Sequence, residues 1–216
     1  MDIQAKLTGF AMLGATWVMW VLVGLSVGGV AVALDRAVYL IRTSENFRRL
    51  KLDLLALLRV GDVRAARERL AGSRSIEARV AAAGLSAPED GAASAEERIA
   101  GATQAAKLRM ERRLTFLGTL GNNAPFIGLL GTVIGIIRAF AELNAAAGKV
   151  TSGLMAEVGE ALVATAIGIM VAIPSIAVFN AYQRVIKTRI ARAESLGREV
   201  MAYLKSDRTP QHAQVG

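Results

Sequence analysis

Three stretches of this chain contain no charged residue: Leu7–Leu34, Leu114–Ile137 and Ala161–Gln183. Each exceeds the ~20 apolar residues that a helix needs to cross a hydrocarbon core of ~30 Å. A spanning segment must satisfy its own backbone hydrogen bonds, so each run is expected to be helical. A buried helix in a large soluble protein is the competing reading. A chain of 216 residues is too short to wrap three such helices. The expected fold is therefore an all-α integral membrane protein with three transmembrane helices. The first run is longer than the ~7–15 residues of a signal-peptide core, and Asp2 and Lys6 cancel in front of it. It reads as an uncleaved first span.

Charge orders the segments. Residues 35–113 carry 16 Lys and Arg, and the tail after Tyr182 carries seven more, whereas the N-terminus offers Lys6 and the segment between the second and third runs Arg138 and Lys149. Positive flanks stay in the cytoplasm. The expected order is a short periplasmic N-terminus (1–14), a first span (15–34) and a cytoplasmic helical loop (35–113). A second span (114–137), a periplasmic connection (138–160), a third span (161–183) and a cytoplasmic tail (184–216) follow.

The loop is rich in Ala, Leu, Arg and Glu, which favour helix. Leu50, Leu54, Leu57 and Leu58 recur at helical spacing before Gly61-Asp62. The stretch from Ser86 to Gly91 predicts a turn, after which Ala95–Arg113 is expected to run as a polar helix into the second span. Ile186, Ile190, Ala193, Val200 and Leu204 mark one face of an amphipathic helix beyond the third span. Helices two and three are thus expected to extend into the cytoplasm. The last ten residues, with Pro210 and Gly216, read as a disordered tail. The basic faces read as positive-inside bias rather than as a nucleic-acid or lipid-specific site.

Polar residues at membrane depth carry the most information about function. The second span holds Asn122, Asn123, Pro125 and Thr132; the third has Glu160 at its edge, then Thr165 and Pro174. Thr16 and Ser26 in the first can bond their own backbone. Thr132 precedes Arg138 by six residues and Thr165 follows Glu160 by five, so antiparallel helices bring both threonines to one level. Two hydroxyls at one depth suit a polar belt around a pore or a partner helix. Equally, each can bond the carbonyl one turn back. Gly24–Gly28 and Gly131–Gly135 match the small-xxx-small pattern of close helix packing, and Gly128 extends it. Pro125 and Pro174 are expected to kink their helices.

No Asp, Lys, Arg or His lies inside any run. A mid-membrane proton path needs a titratable group, so a conducting complex must draw it from another chain. The chain has no cysteine and one histidine, His212, which leaves no thiolate or His-cluster metal site and no catalytic set. No cofactor is implied.

The segment LTFLGTLGNNAPFIGLLGTVIGI at 114–136 resembles the second span of the ExbB/TolQ branch of the MotA/TolQ/ExbB family, and GEALVATAIGIMVAIP at 159–174 resembles its third span. The resemblance implies a homopentamer around two helices of an ExbD- or TolR-like partner whose membrane aspartate carries the proton. It implies energy transduction from the proton-motive force to the envelope, commonly through a TonB- or TolA-like protein. The task would be outer-membrane import, Tol-Pal-type envelope maintenance or gliding motility. By position, the pore threonines fall on Thr132 and Thr165 and the membrane glutamate on Glu160. On an ideal helix Glu160 and Thr165 lie about 140° apart. Glu160 can therefore line the pore, bond a neighbouring subunit or sit at the positive helix end. A non-conducting scaffold that anchors an envelope complex is the alternative function.

Overall fold

The computed structural model describes residues 14–206. The segment before residue 14, with Asp2 and Lys6, and the tail from residue 207, with Pro210, His212 and Gly216, lie outside the described residues. Among the described residues every regular element is helical: α1 (Thr16–Arg42), α2 (Phe47–Arg59), α3 (Val63–Ala71), α4 (Ile76–Gly84), a 3-10 turn at Pro88–Asp90, α5 (Gly91–Glu111), α6 (Leu114–Ala145) and α7 (Ser152–Leu204). Three of them, α1, α6 and α7, contain stretches long and apolar enough to cross a membrane.

The chain divides into two compact units. The first comprises residues up to Asp35 together with Arg113–Ala181. Its core joins Val18 and Leu22 of α1 to Leu120, Ala124 and Ile134 of α6 and to Val171 and Ala172 of α7. In the most apolar window of each span only 17 to 28% of the residues are buried. Phe126, Phe140, Leu162, Met170 and Ile173 are each about two-thirds exposed. Faces this apolar demand lipid or other chains against them.

The second unit comprises Arg36–Arg112 and the residues from Tyr182 onward. Side-chain caps start its short helices. Asn46 accepts from the Arg49 N–H at 3.2 Å, Asp62 from Ala65 at 2.8 Å and Ser75 from Ala78 at 3.1 Å. Each satisfies a donor that the first turn would otherwise leave open. Leu50, Leu54 and Leu58 are buried as their spacing requires, against Leu70, Val80, Ile99, Leu196 and Val200. Each buried leucine contributes about 1.5–3 kcal/mol. Gly61 turns the chain between α2 and α3 with φ 77°, and Gly91 starts α5 with φ 83° after the 3-10 turn.

One expected boundary differs. The helix expected to run unbroken from Ala95 into the second span is two helices. Arg112 is extended and Arg113 is left-handed, with φ 67°. The Arg113 guanidinium is held by Asp35 at 3.2 Å. Residues 138–160, expected as the periplasmic connection between the spans, are mostly helical, with a turn at Ala147 and Gly148. Arg138 of α6 pairs with Glu157 of α7 at 2.8 Å.

Candidate functional site: the glycine seam and its charged end

Gly128, Gly131 and Gly135 put a stripe without side chains on one face of α6, and α7 answers with Ala161, Ala164 and Gly168. The approach is close to backbone contact. A Cβ on Gly128 would stand 2.8 Å from the Ala164 carbonyl oxygen and 3.1 Å from the Thr165 Cα. One on Gly168 would stand 2.7 Å from the Ala124 carbonyl oxygen. One on Gly131 or Gly135 would meet the Cβ of Ala164 or Ala161 at 2.5 Å. Small residues allow this because apolar tails offer no hydrophobic gain for helix pairing, so close packing must supply it. Gly28 lies 3.4 Å from Phe116 by the same measure, and Gly29, which the small-xxx-small pattern does not include, lies 2.8 Å from Leu120. Gly24 faces open space.

The two threonines lie beside this seam. Gly131 opposes Ala164, and Thr165 lies against Gly128, so Thr132 and Thr165 stand within about a turn of each other. The Thr132 hydroxyl donates to the Leu129 carbonyl at 2.7 Å, one turn back on its own helix. The Thr165 hydroxyl donates across the seam to the Gly128 carbonyl at 3.1 Å. Of the two roles open to these hydroxyls, Thr132 adopts the local one and Thr165 ties two helices together.

Pro125 and Pro174 lie inside α6 and α7. Each removes one backbone donor. Near Pro174 the Ser175 hydroxyl donates to the Val171 carbonyl at 2.7 Å. Asn122 is exposed, and Asn123 donates to the Thr119 carbonyl at 2.8 Å.

Beyond the seam the helices carry charge. Glu160 accepts from the Thr16 hydroxyl at 2.6 Å, which corrects the reading of Thr16 as bonded to its own backbone. Thr16 opens α1, so this bond joins that helix to α7. One turn away, Glu157 Oε1 meets Arg138, while its Oε2 is buried with no hydrogen-bond partner among the described residues. Thr151 caps α7, accepting from the Leu154 N–H at 3.1 Å.

The second unit holds a polar cluster that sequence reasoning missed. Arg189 and Glu77 are each 5% exposed and form a bidentate pair, Nε to Oε1 at 3.1 Å and Nη2 to Oε2 at 3.0 Å. The same guanidinium donates to the Leu40 carbonyl at 3.2 Å, the Thr43 hydroxyl at 3.0 Å and the Thr43 carbonyl. The signal was present: Arg189 falls on the buried stripe of Ile186, Ala193, Leu196 and Val200, where a lone cation needs a partner.

These features define an integral membrane protein of three spanning helices, two of them packed backbone to backbone beside a matched pair of threonines. The chain belongs to the MotA/TolQ/ExbB proton channel family, whose profile matches residues 72–195. An ExbB-like 2 biopolymer transport protein of Helicobacter pylori is 47% identical over 74 residues, covering 34% of this chain and 49% of that protein. The biopolymer transport protein ExbB of Xanthomonas campestris pv. campestris is 38% identical over 92 residues, 43% of this chain and 36% of the relative. The Tol-Pal system protein TolQ of Pseudomonas aeruginosa is 35% identical over 96 residues, 44% and 42% respectively. The chain thus spans about half the length of the first of these relatives and less of the other two.

Proposed function

We propose that the chain is an ExbB/TolQ-like stator subunit of a motor in the bacterial inner membrane, driven by the proton-motive force. The observation that carries this reading is that Thr132 and Thr165 lie within about a turn of each other beside the seam, in spans that hold no mid-membrane titratable group. Such a chain supplies hydroxyls and scaffold but no proton carrier. In this reading an ExbD- or TolR-like single-span partner brings a membrane aspartate, and several copies of the chain, five by family resemblance, surround it. Thr132 and Thr165 stand beside the aspartate, and Glu160 tunes the mouth or holds an interface. The N-terminus is periplasmic, and the basic segment 35–113 and the C-terminus are cytoplasmic, as positive flanks favour. A TonB- or TolA-like protein, or a motility protein, receives the work, so the task is import, envelope maintenance or gliding.

The test is Thr132→Ala and Thr165→Val, each co-expressed with the partner. Proton-dependent function is expected to fall in at least one, and full activity in both variants would remove the lining role. A second reading, a non-conducting scaffold, is favoured by the fact that both hydroxyls already bond backbone carbonyls. Collapsing the proton gradient separates the two, because a scaffold keeps working.

A further inference from the structure

We infer that the second unit carries a binding site for the phosphate headgroup of an anionic phospholipid, in the cleft where the end of α5 meets α7 just past the third span. The cleft has a volume of about 580 Å³. Lys107 on α5 and Arg184 and Lys187 on α7 line it, with Glu111 as the one acid and Ile186 and Ile190 as apolar wall.

Three observations converge on this ligand. First, the three cations are exposed, and none is engaged in an ion pair among the described residues. Lys51, Arg69, Arg98 and Lys205 of the same unit have acid partners, while others such as Arg48, Arg59 and Arg67 have none among the described residues, so what sets these three apart is that they line one cleft. Second, the cleft begins where the apolar run ends. Ala161–Gln183 is free of charge and closes on Tyr182, an aromatic of the kind that sits at headgroup level. Arg184 directly follows the run, so the cleft lies within a turn or two of the hydrocarbon edge. Third, the wall is mixed. Ile186 is buried at its floor and Ile190 is half-buried, an apolar wall that lowers the local dielectric and strengthens the cations' attraction for a phosphate. Positive-inside bias accounts for basic residues near a span, but it does not account for two helices converging their cations on one apolar-floored cleft. This site is independent of proton conduction.

The test uses the full-length chain in detergent, titrated separately with phosphatidylglycerol, phosphatidylcholine and inorganic phosphate. Lipid retention is read by native mass spectrometry and the thermal midpoint by fluorescence. Phosphatidylglycerol is expected to be retained and to raise the midpoint, with phosphatidylcholine and phosphate far weaker. Each cation near an anionic surface is worth about five-fold in affinity, so combining Lys107→Gln, Arg184→Gln and Lys187→Gln should weaken phosphatidylglycerol by about a hundred-fold. Glu111→Gln should strengthen it by about five-fold, a gain that misfolding cannot produce. Equal retention of the two lipids, or wild-type affinity in the triple variant, overturns the site. Inorganic phosphate binding as tightly as the lipid would make it a soluble-anion site and also overturn the proposal. A smaller oligomer with unchanged lipid binding in the triple variant would mean that a second copy covers the cleft, and would equally overturn it.

Discussion

The hydroxyl of Thr165 on α7 bonds the carbonyl oxygen of Gly128 on α6, 3.1 Å away, at the narrowest part of the seam. Interhelical bonds of this kind average about 0.6 kcal/mol and reach about 1.7 in a membrane. Thr165→Val keeps the shape and removes the donor. It should destabilise the chain by about that much, whereas Thr165→Ser, which keeps the donor, should lose less. Thermal midpoints in one detergent check the order. A Val variant as stable as wild type would assign the hydroxyl no part in holding the helices.

Gly128 and Gly168 admit no side chain without moving backbone, because a Cβ on either would press on a carbonyl oxygen of the facing helix. Gly128→Ala and Gly168→Ala should each cost about 1–3 kcal/mol. Gly24, with nothing near it, should accept alanine with no loss or with a gain of about 0.5–1 kcal/mol. If Gly24→Ala instead leaves the monomer stable but breaks up larger assemblies, the Gly24 face packs against another chain.

Removing one member of the Arg189–Glu77 pair leaves an uncompensated charge at a site only 5% exposed. Arg189→Met and Glu77→Gln should each destabilise by about 3–5 kcal/mol. Combining them should cost clearly less than the sum of the two. A double-mutant cycle by chemical denaturation measures the coupling, and strict additivity would contradict the geometry.

Glu45 offers a pH test outside the spans. Desolvation raises its pKa, but hydrogen bonds from Ser73 and Arg69 outweigh it and hold the carboxyl below its ordinary value of 4.5. The Arg69 guanidinium is shifted upward in return, first by its hydrogen bond to Glu45. A lowered carboxyl pKa stabilises the fold above the unfolded value, and that stabilisation is lost as pH falls through the folded value. The difference in thermal midpoint between wild type and Glu45→Gln should therefore be constant near neutrality and shrink below about pH 4.5. A gap that widens on acidification would reverse the sign and rule out a stabilising Glu45 carboxylate.

Much of the fold was legible because its strongest determinants are local. A run without charge is a property of consecutive residues, and so is the spacing of Leu50, Leu54 and Leu58. What stayed hidden was set at long range. Thr16 and Glu160 are 144 residues apart, and Arg189 and Glu77 are 112 apart. No periodicity announces such partners, although a cation on an apolar stripe hints that one exists. The Arg138–Glu157 pair was hidden for the same reason. The joint at Arg113 has neither Gly nor Pro to mark it. Of the candidate site, counting residues inward from Arg138 and Glu160 brings Thr132 and Thr165 to similar depth, and the structure sets Thr165 against Gly128, about a turn from Thr132. The direction of the Thr165 hydroxyl does not, because it depends on which backbone lies opposite.

The seam has a further consequence for traffic across the bilayer. Where Gly128 and Gly168 bring two backbones together, no file of water molecules can thread between α6 and α7 of the same copy. The joint is watertight. A proton that crosses with the help of this chain must therefore take a route other than the one between these two helices.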